Sequence, residues 1–201
     1  MNKDKKIAID IALIPPSDVI ELFIRINQEA GEKVWGPLGK DDYIPHISLA
    51  MGCIKEDDLT AVKEIVEKVA ASFSPIDIVL DKLYFAQKPG DDRNYAIGAK
   101  RSSLLQELHE NIMNKLRDYL TYDCTKEMIF RESGQEVTEP NYINKFLLEH
   151  SFENYEAHIT TRAKVGVGEK DLPIEFIASR IAICHIGTMT TCRRVLWEKN
   201  L

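Results

Sequence analysis

Two short segments far apart in the chain share a pattern that constrains the fold more than any other feature. Ile44-Pro45-His46-Ile47-Ser48-Leu49-Ala50 and Glu156-Ala157-His158-Ile159-Thr160-Thr161-Arg162 each hold a histidine, one apolar residue and a hydroxyl residue. In both, β-branched and apolar residues alternate with small or polar ones, which predicts a β-strand. Residues two apart on a strand point to the same side, so His46 shares a face with Ser48, and His158 with Thr160. Ile47 and Ile159 then point the other way, into a core. Of the five histidines, only these two have Ser or Thr two positions later. Two such strands facing one another would gather two imidazoles and two hydroxyls around one small volume.

The rest of the chain alternates strand and helix patterns. Ile7, Ile9, Ile11 and Leu13 alternate with Ala8, Asp10 and Ala12, predicting a first strand. Asp10 inside that run and Pro15-Pro16 after it distinguish it from a secretory leader. Asp18 and Glu21 open a helix with Val19, Leu22, Phe23, Ile26 and Ala30 on one face, closed by Gly31. Residues 32–43 read as a loop, and Pro45 suits the start of the first histidine strand. A second helix is expected over 57–73, followed by strands over 76–86 and 94–100. Ser103 and Gln106 suit a capping box for a third helix, with Leu104, Leu105, Leu108, Ile112, Leu116, Tyr119 and Leu120 as its buried stripe. His109 falls at the edge of that stripe and is expected as a partly exposed structural residue.

From 121 to 152 the pattern weakens, and 142–148 fits either a short helix or a strand. The second histidine strand is expected over 156–165, and 173–186 and 193–198 read as strands joined through 187–191. The order strand, helix, histidine strand, further strand occurs twice, a weak internal repeat. Two similar α+β lobes, each contributing one histidine strand to a shared cleft, follow as the expected architecture. No interdomain linker appears, so residues 1–201 are expected to form a single two-lobed domain.

A net charge of −6 argues against a broad basic surface for duplex DNA, because phosphate binding depends on Lys and Arg density. No segment has the uninterrupted apolar length of a membrane helix. Cys53, Cys124, Cys184 and Cys192 form no Cys-x-x-Cys pair, which fits reduced thiols in a cytoplasm. Cys184 and Cys192 can approach each other across a terminal hairpin, with unpaired packing thiols as the plainer reading. A cytoplasmic monomer is expected.

With the two His-x-hydroxyl strands 112 residues apart and this order of elements, the chain resembles the two-histidine phosphoesterase superfamily, in particular its 2′-5′ RNA ligase-like cyclic phosphodiesterases. The resemblance spans Ile7 to Trp197. It implies a bilobal α+β fold: two antiparallel sheets in pseudo-two-fold related lobes around a central cleft, with helices outside. It implies metal-independent hydrolysis of a 2′,3′-cyclic phosphate, or a related 2′-5′ phosphodiester, of a small nucleotide or RNA end, without a cofactor. Carried over by position, His46 and His158 are the catalytic pair and Ser48 and Thr160 hold the phosphate. Ser48 stands where Thr is commoner. Many relatives carry a basic residue five positions after the second histidine; here Ala163 stands there, between Arg162 and Lys164. Arg162 shares the strand face of His158 and either contacts the phosphate or is a solvated charge at a strand end.

The chemistry fits the residue types on its own terms. Opening a cyclic phosphate needs a base for the attacking water and an acid for the leaving ribose oxygen, and imidazole serves as either near neutral pH. Hydroxyls can donate to the non-bridging oxygens. Tyr43, Trp35, Tyr84 and Tyr95 are candidates to stack a base, though core or rim positions are the blander reading. His185 is expected to be structural. A zinc site on His46 and His158 would need further ligands, and no His-Glu-x-x-His or comparable cluster supplies them. Two other readings compete: a catalytically silent nucleotide- or RNA-binding module using the same cleft, and an interaction protein docking through residues 121–152.

Overall fold

The first strand, β1 (Lys6–Ile14), is buried along nearly its whole length because it has a partner on each side. In the computed structural model, which describes residues 5–29, 38–41, 43–84, 96–132, 135–161 and 172–201, it pairs antiparallel with β2 (Ile47–Lys55) and β7 (Arg180–Gly187). β8 (Thr191–Asn200) completes a four-stranded sheet of order β2-β1-β7-β8. The second sheet, of order β5-β4-β3-β6, consists of β3 (Ile76–Tyr84), β4 (Ala96–Ala99), β5 (His158–Thr160) and β6 (Ile174–Ala178), again antiparallel throughout. Two antiparallel sheets with helices against them confirm the α+β, two-lobed expectation.

Alternation decides what each face of β1 does. Ile7, Ile9, Ile11 and Leu13 enter the main core with Leu49, Ile54, Ile181 and Ile183. Each fully buried aliphatic side chain contributes about 1.5–3 kcal/mol. Ala12 and Ile14 belong to a smaller cluster with Ile44, Ala182, Cys184 and Cys192. Small residues on that face leave room above the sheet, and Asp10 stands among them, opposite Cys184 in the strand register.

α1 (Ser17–Glu29) buries Val19, Phe23 and Ile26, and α2 (Leu59–Ala70) buries Val62, Val66 and Val69. α3 (Ser103–Lys115) packs on β2 and α2. Its cap is Ser102, one residue before the expected one: the Ser102 hydroxyl accepts from the Leu105 N–H at 3.4 Å. Gln106 instead donates to Glu110 and to the Phe152 carbonyl, and Leu104, counted in the apolar stripe, is exposed.

Residues 173–186 are not one strand but two, β6 and β7, broken at Ser179 and placed in different sheets. No Gly or Pro marks the break. β6 alternates inward Phe176 and Ala178 with outward Glu175 and Ile177, whereas β7 is buried on both faces. Ile174, Ile177, Ile181 and Ile183 continue on either side of the break, which conceals that change.

The expectation of four reduced thiols is also corrected, since Cys53 of β2 is disulfide-bonded to Cys124. After α3 the chain runs along the free edge of β2, where Cys53 and Thr121 exchange both backbone hydrogen bonds, at 2.8 and 2.9 Å. Gly52 permits this approach, because a Cβ there would lie 3.0 Å from Leu120 Cδ2 and 3.1 Å from the Thr121 carbonyl oxygen. The segment then forms α4 (Asn141–Glu149), resolving 142–148 as helix, and α4 packs on β2 through Ile143 and Phe146. Asn144 holds it there, bonding both the N–H and the carbonyl of Cys124. Among the described residues no helix is long and apolar enough to cross a membrane.

Candidate active site

His46 ends the loop into β2 and His158 opens β5, so the two histidine strands belong to different sheets. Tyr155 links them by donating its hydroxyl to the Ser48 carbonyl at 3.0 Å, and Asn27 of α1 holds the end of β5 by donating to the Thr161 carbonyl at 2.8 Å. The rings are then close enough to interact. Burial pushes His158 below the ordinary imidazole range and the charge of His46 adds to this, against a backbone hydrogen bond at Glu156 that favours the charged form.

Both rings are held alike. His46 Nδ1 lies 2.6 Å from the Ile44 carbonyl oxygen, and His158 Nδ1 lies 2.8 Å from that of Glu156, each carbonyl two residues upstream. A carbonyl only accepts, so each Nδ1 carries its hydrogen and Nε2 is the ring nitrogen whose proton can exchange. Ile47 and Ile159 are fully buried beneath them, as the alternation requires. Ser48 and Thr160 follow on the same faces as their histidines, both half-buried.

Sequence reasoning missed Asp10. Its carboxylate is wholly buried, with Oδ2 accepting from the Ser48 hydroxyl at 2.7 Å and lying 3.3 Å from His46 Nε2. The Cys192 thiol also donates to Oδ2, at 3.8 Å. The second oxygen, Oδ1, is buried with no hydrogen-bond partner among the described residues. Asp10 was visible as the single charged residue in the apolar run 7–14, but nothing in one strand says what lies opposite it. Ser48 has only one hydroxyl proton, and here that proton goes to Asp10.

His109 overturns its expected partial exposure. It is fully buried, donates from Nδ1 to the Leu49 carbonyl at 2.6 Å, accepts at Nε2 from the Phe152 N–H at 2.8 Å, and stacks on Tyr155 with 3.9 Å between centroids. An accepting Nε2 makes the ring neutral, and burial pushes it below the ordinary range. It therefore braces Tyr155, which in turn bridges the two histidine strands. From α4, Tyr142 stacks on His150 at 4.2 Å. The charge of Asp10 reaches Tyr142 and that of His158 reaches His150, so both lie at the edge of the histidine cluster. His185, with Nε2 3.0 Å from the Met128 carbonyl, is structural as expected.

Tyr43 is buried at the rim, with the Arg193 guanidinium 4.8 Å above its ring and its hydroxyl accepting from Gln135. It is enclosed by neighbours and presents no open face for a base. Arg162, Lys164, Trp35, Tyr95 and the side chain of Tyr84 lie outside the described residues.

Two antiparallel sheets that each bring one His-x-hydroxyl strand to a common place make a bilobal α+β fold of the LigT type. E. coli LigT complexed with NADP+ superposes with a TM-score of 0.58 at 13% identity, covering 98% of this chain and 99% of that one. A further phosphoesterase superposes at 0.57 with 13% identity, covering 98% and 99%. TT0787 of Thermus thermophilus superposes at 0.56 with 14% identity, covering 97% and 98%. At such identities the likeness is one of fold. LigT has also been crystallised with 3′-AMP and with ATP. No family model matches the sequence, and no curated protein sequence matches it.

Proposed function

We propose that the chain hydrolyses a 2′,3′-cyclic phosphate, or a related 2′-5′ phosphodiester, of a nucleotide or RNA end by metal-independent two-histidine catalysis. The observation that carries this reading is the matched pair of imidazoles, each with its Nδ1–H tied to a backbone carbonyl two residues upstream, which makes Nε2 the nitrogen that exchanges a proton. The nucleotide ligands of LigT support a substrate of that class.

In this reading His158, held below the ordinary range and thus neutral at pH 7, accepts the proton of the attacking water. The new P–O bond forms as the ring P–O bond on the opposite side breaks. His46 gives its Nε2 proton to the departing ribose oxygen, leaving a phosphate monoester. The protonated His46 has Asp10 as its counter-ion, so the departing oxygen must displace Asp10 Oδ2 as the acceptor of that proton. Thr160 donates to a non-bridging oxygen, and the reading assigns the phosphate's cation to Arg162. Ser48, with its proton on Asp10, supports the phosphate only by turning its hydroxyl away. Each well-placed acid or base contributes on the order of 10²–10⁴ in rate. A panel of cyclic mononucleotides, 2′-5′ dinucleotides and cyclic-phosphate RNA ends, assayed by product mass in excess EDTA, tests the reading. A monoester product at undiminished rate is expected, and loss of turnover on chelation rejects it.

A further inference from the structure

Asp10, His46 and Cys192 come from three different strand segments and converge in a buried place on one face of the first sheet. Their donor atoms all lie within 4.8 Å of one another. A tetrahedral zinc ion with bonds of about 2.0–2.3 Å sets its N, O and S ligands roughly 3.3–3.8 Å apart. The observed separations are 3.3 Å from His46 Nε2 to Asp10 Oδ2 and 3.8 Å from Asp10 Oδ2 to Cys192 Sγ. The third pair of donor atoms, on His46 and Cys192, lies within 4.8 Å.

Three further observations point to a cation. The His46 Nδ1–H bond to the Ile44 carbonyl is the outer contact that fixes a metal-ligating histidine with Nε2 toward the ion. Asp10 Oδ1, buried without a hydrogen-bond partner among the described residues, is a strong acceptor in want of positive charge. Cys184, the other free thiol, is buried beside Cys192 and can donate a hydrogen bond to a metal-bound sulfur.

We propose that Asp10, His46 and Cys192 form a site for a thiophilic divalent cation of the zinc class. Binding releases the Cys192 proton to solvent, together with the Nε2 proton of His46 when that ring is protonated, and occupies the Nε2 lone pair of His46. A nitrogen that coordinates a metal cannot exchange the catalytic proton, so the cation is a reversible inhibitor. That consequence, though not the ligand set, rests on the proposed hydrolase function. The Cys192 thiol takes no part in the proposed acid–base hydrolysis, and here it helps hold the inhibitor.

Cobalt(II) titration under non-reducing conditions tests the site without reference to activity. With Cys53 and Cys124 disulfide-bonded, a thiolate-to-cobalt charge-transfer band can come only from Cys184 or Cys192. One equivalent of cobalt is expected to give that band with tetrahedral visible absorption in the unmodified chain, displaced by zinc. The band is expected to survive Cys184→Ala and disappear in Cys192→Ala and His46→Ala. Its absence from the unmodified chain, or its survival in Cys192→Ala, overturns the proposal. If the band forms but no phosphodiester is cleaved, the hydrolase reading fails and the metal site stands. If hydrolysis proceeds and saturating zinc leaves it unchanged, the inhibitory role fails.

Discussion

Tyr155 gives its hydroxyl proton to the carbonyl oxygen of Ser48 across 3.0 Å, linking the approach to β5 with β2 and hence one histidine strand with the other. The phenol is buried and stacked on His109, so the bond is shielded from water. Tyr155→Phe keeps the ring and removes the tie. It is expected to lower stability by about 1–3 kcal/mol, the usual cost of stranding a buried polar partner. Activity should fall further, because small misplacements of catalytic groups are costly, up to roughly 10²-fold for 1 Å. Urea unfolding and steady-state kinetics measure both, and unchanged values for the pair would contradict the bridging role.

The disulfide ties the 121–152 segment to β2 across a sequence separation of 71 residues. Cross-links over loops of that length typically stabilise by about 2–5 kcal/mol. Reductant is therefore expected to lower the urea midpoint of the unmodified chain and to leave that of a Cys53→Ala, Cys124→Ala double variant unmoved. A midpoint insensitive to reductant in both would mean that the bridge contributes nothing.

Burial lowers the affinity of His109 for a proton, and the neutral ring uses both nitrogens. Between its folded value and the unfolded value near 6.5, the unfolded chain binds more protons, so stability is lost as pH falls below about 6.5. His150, His158 and His185 shift the same way and share this slope. His109→Asn is expected to cost about 1–3 kcal/mol at pH 7 through the stranded Phe152 N–H, and to flatten the loss between pH 7 and 5. Denaturant curves across that range decide it, and an unaltered slope would place the titration elsewhere.

His158 is lowered as well, chiefly by burial. If it is the base, kcat/KM rises with pH through its proton loss, with a midpoint below the ordinary 6.5. An acid limb centred above 6.5, or one that persists in the residual activity of His158→Ala, would assign the base to another group.

The histidine strands, the three amphipathic helices and the two-lobed order were legible because alternation and helical spacing are local properties. Three features were not. The β6/β7 break leaves no punctuation in the sequence, since Ser179 sits among strand-forming neighbours and only the change of sheet shows it. The Asp10, Ser48 and Cys192 contacts join residues up to 182 apart, and no single-strand pattern encodes such a meeting. His109 lies at the margin of its helix stripe, where burial depends on Tyr155 and Phe152 arriving from another part of the chain.

The central claim is that His46 and His158 act as one unit on one phosphorus atom, and comparing kcat for His46→Ala, His158→Ala and the double variant tests it most directly. On a cyclic-phosphate substrate each single variant is expected to lose at least about 10² in kcat. The double variant should lose little more than the worse of the two, because groups that serve one transition state are strongly non-additive. Wild-type turnover in either single variant, or losses that multiply in the double, would contradict the account.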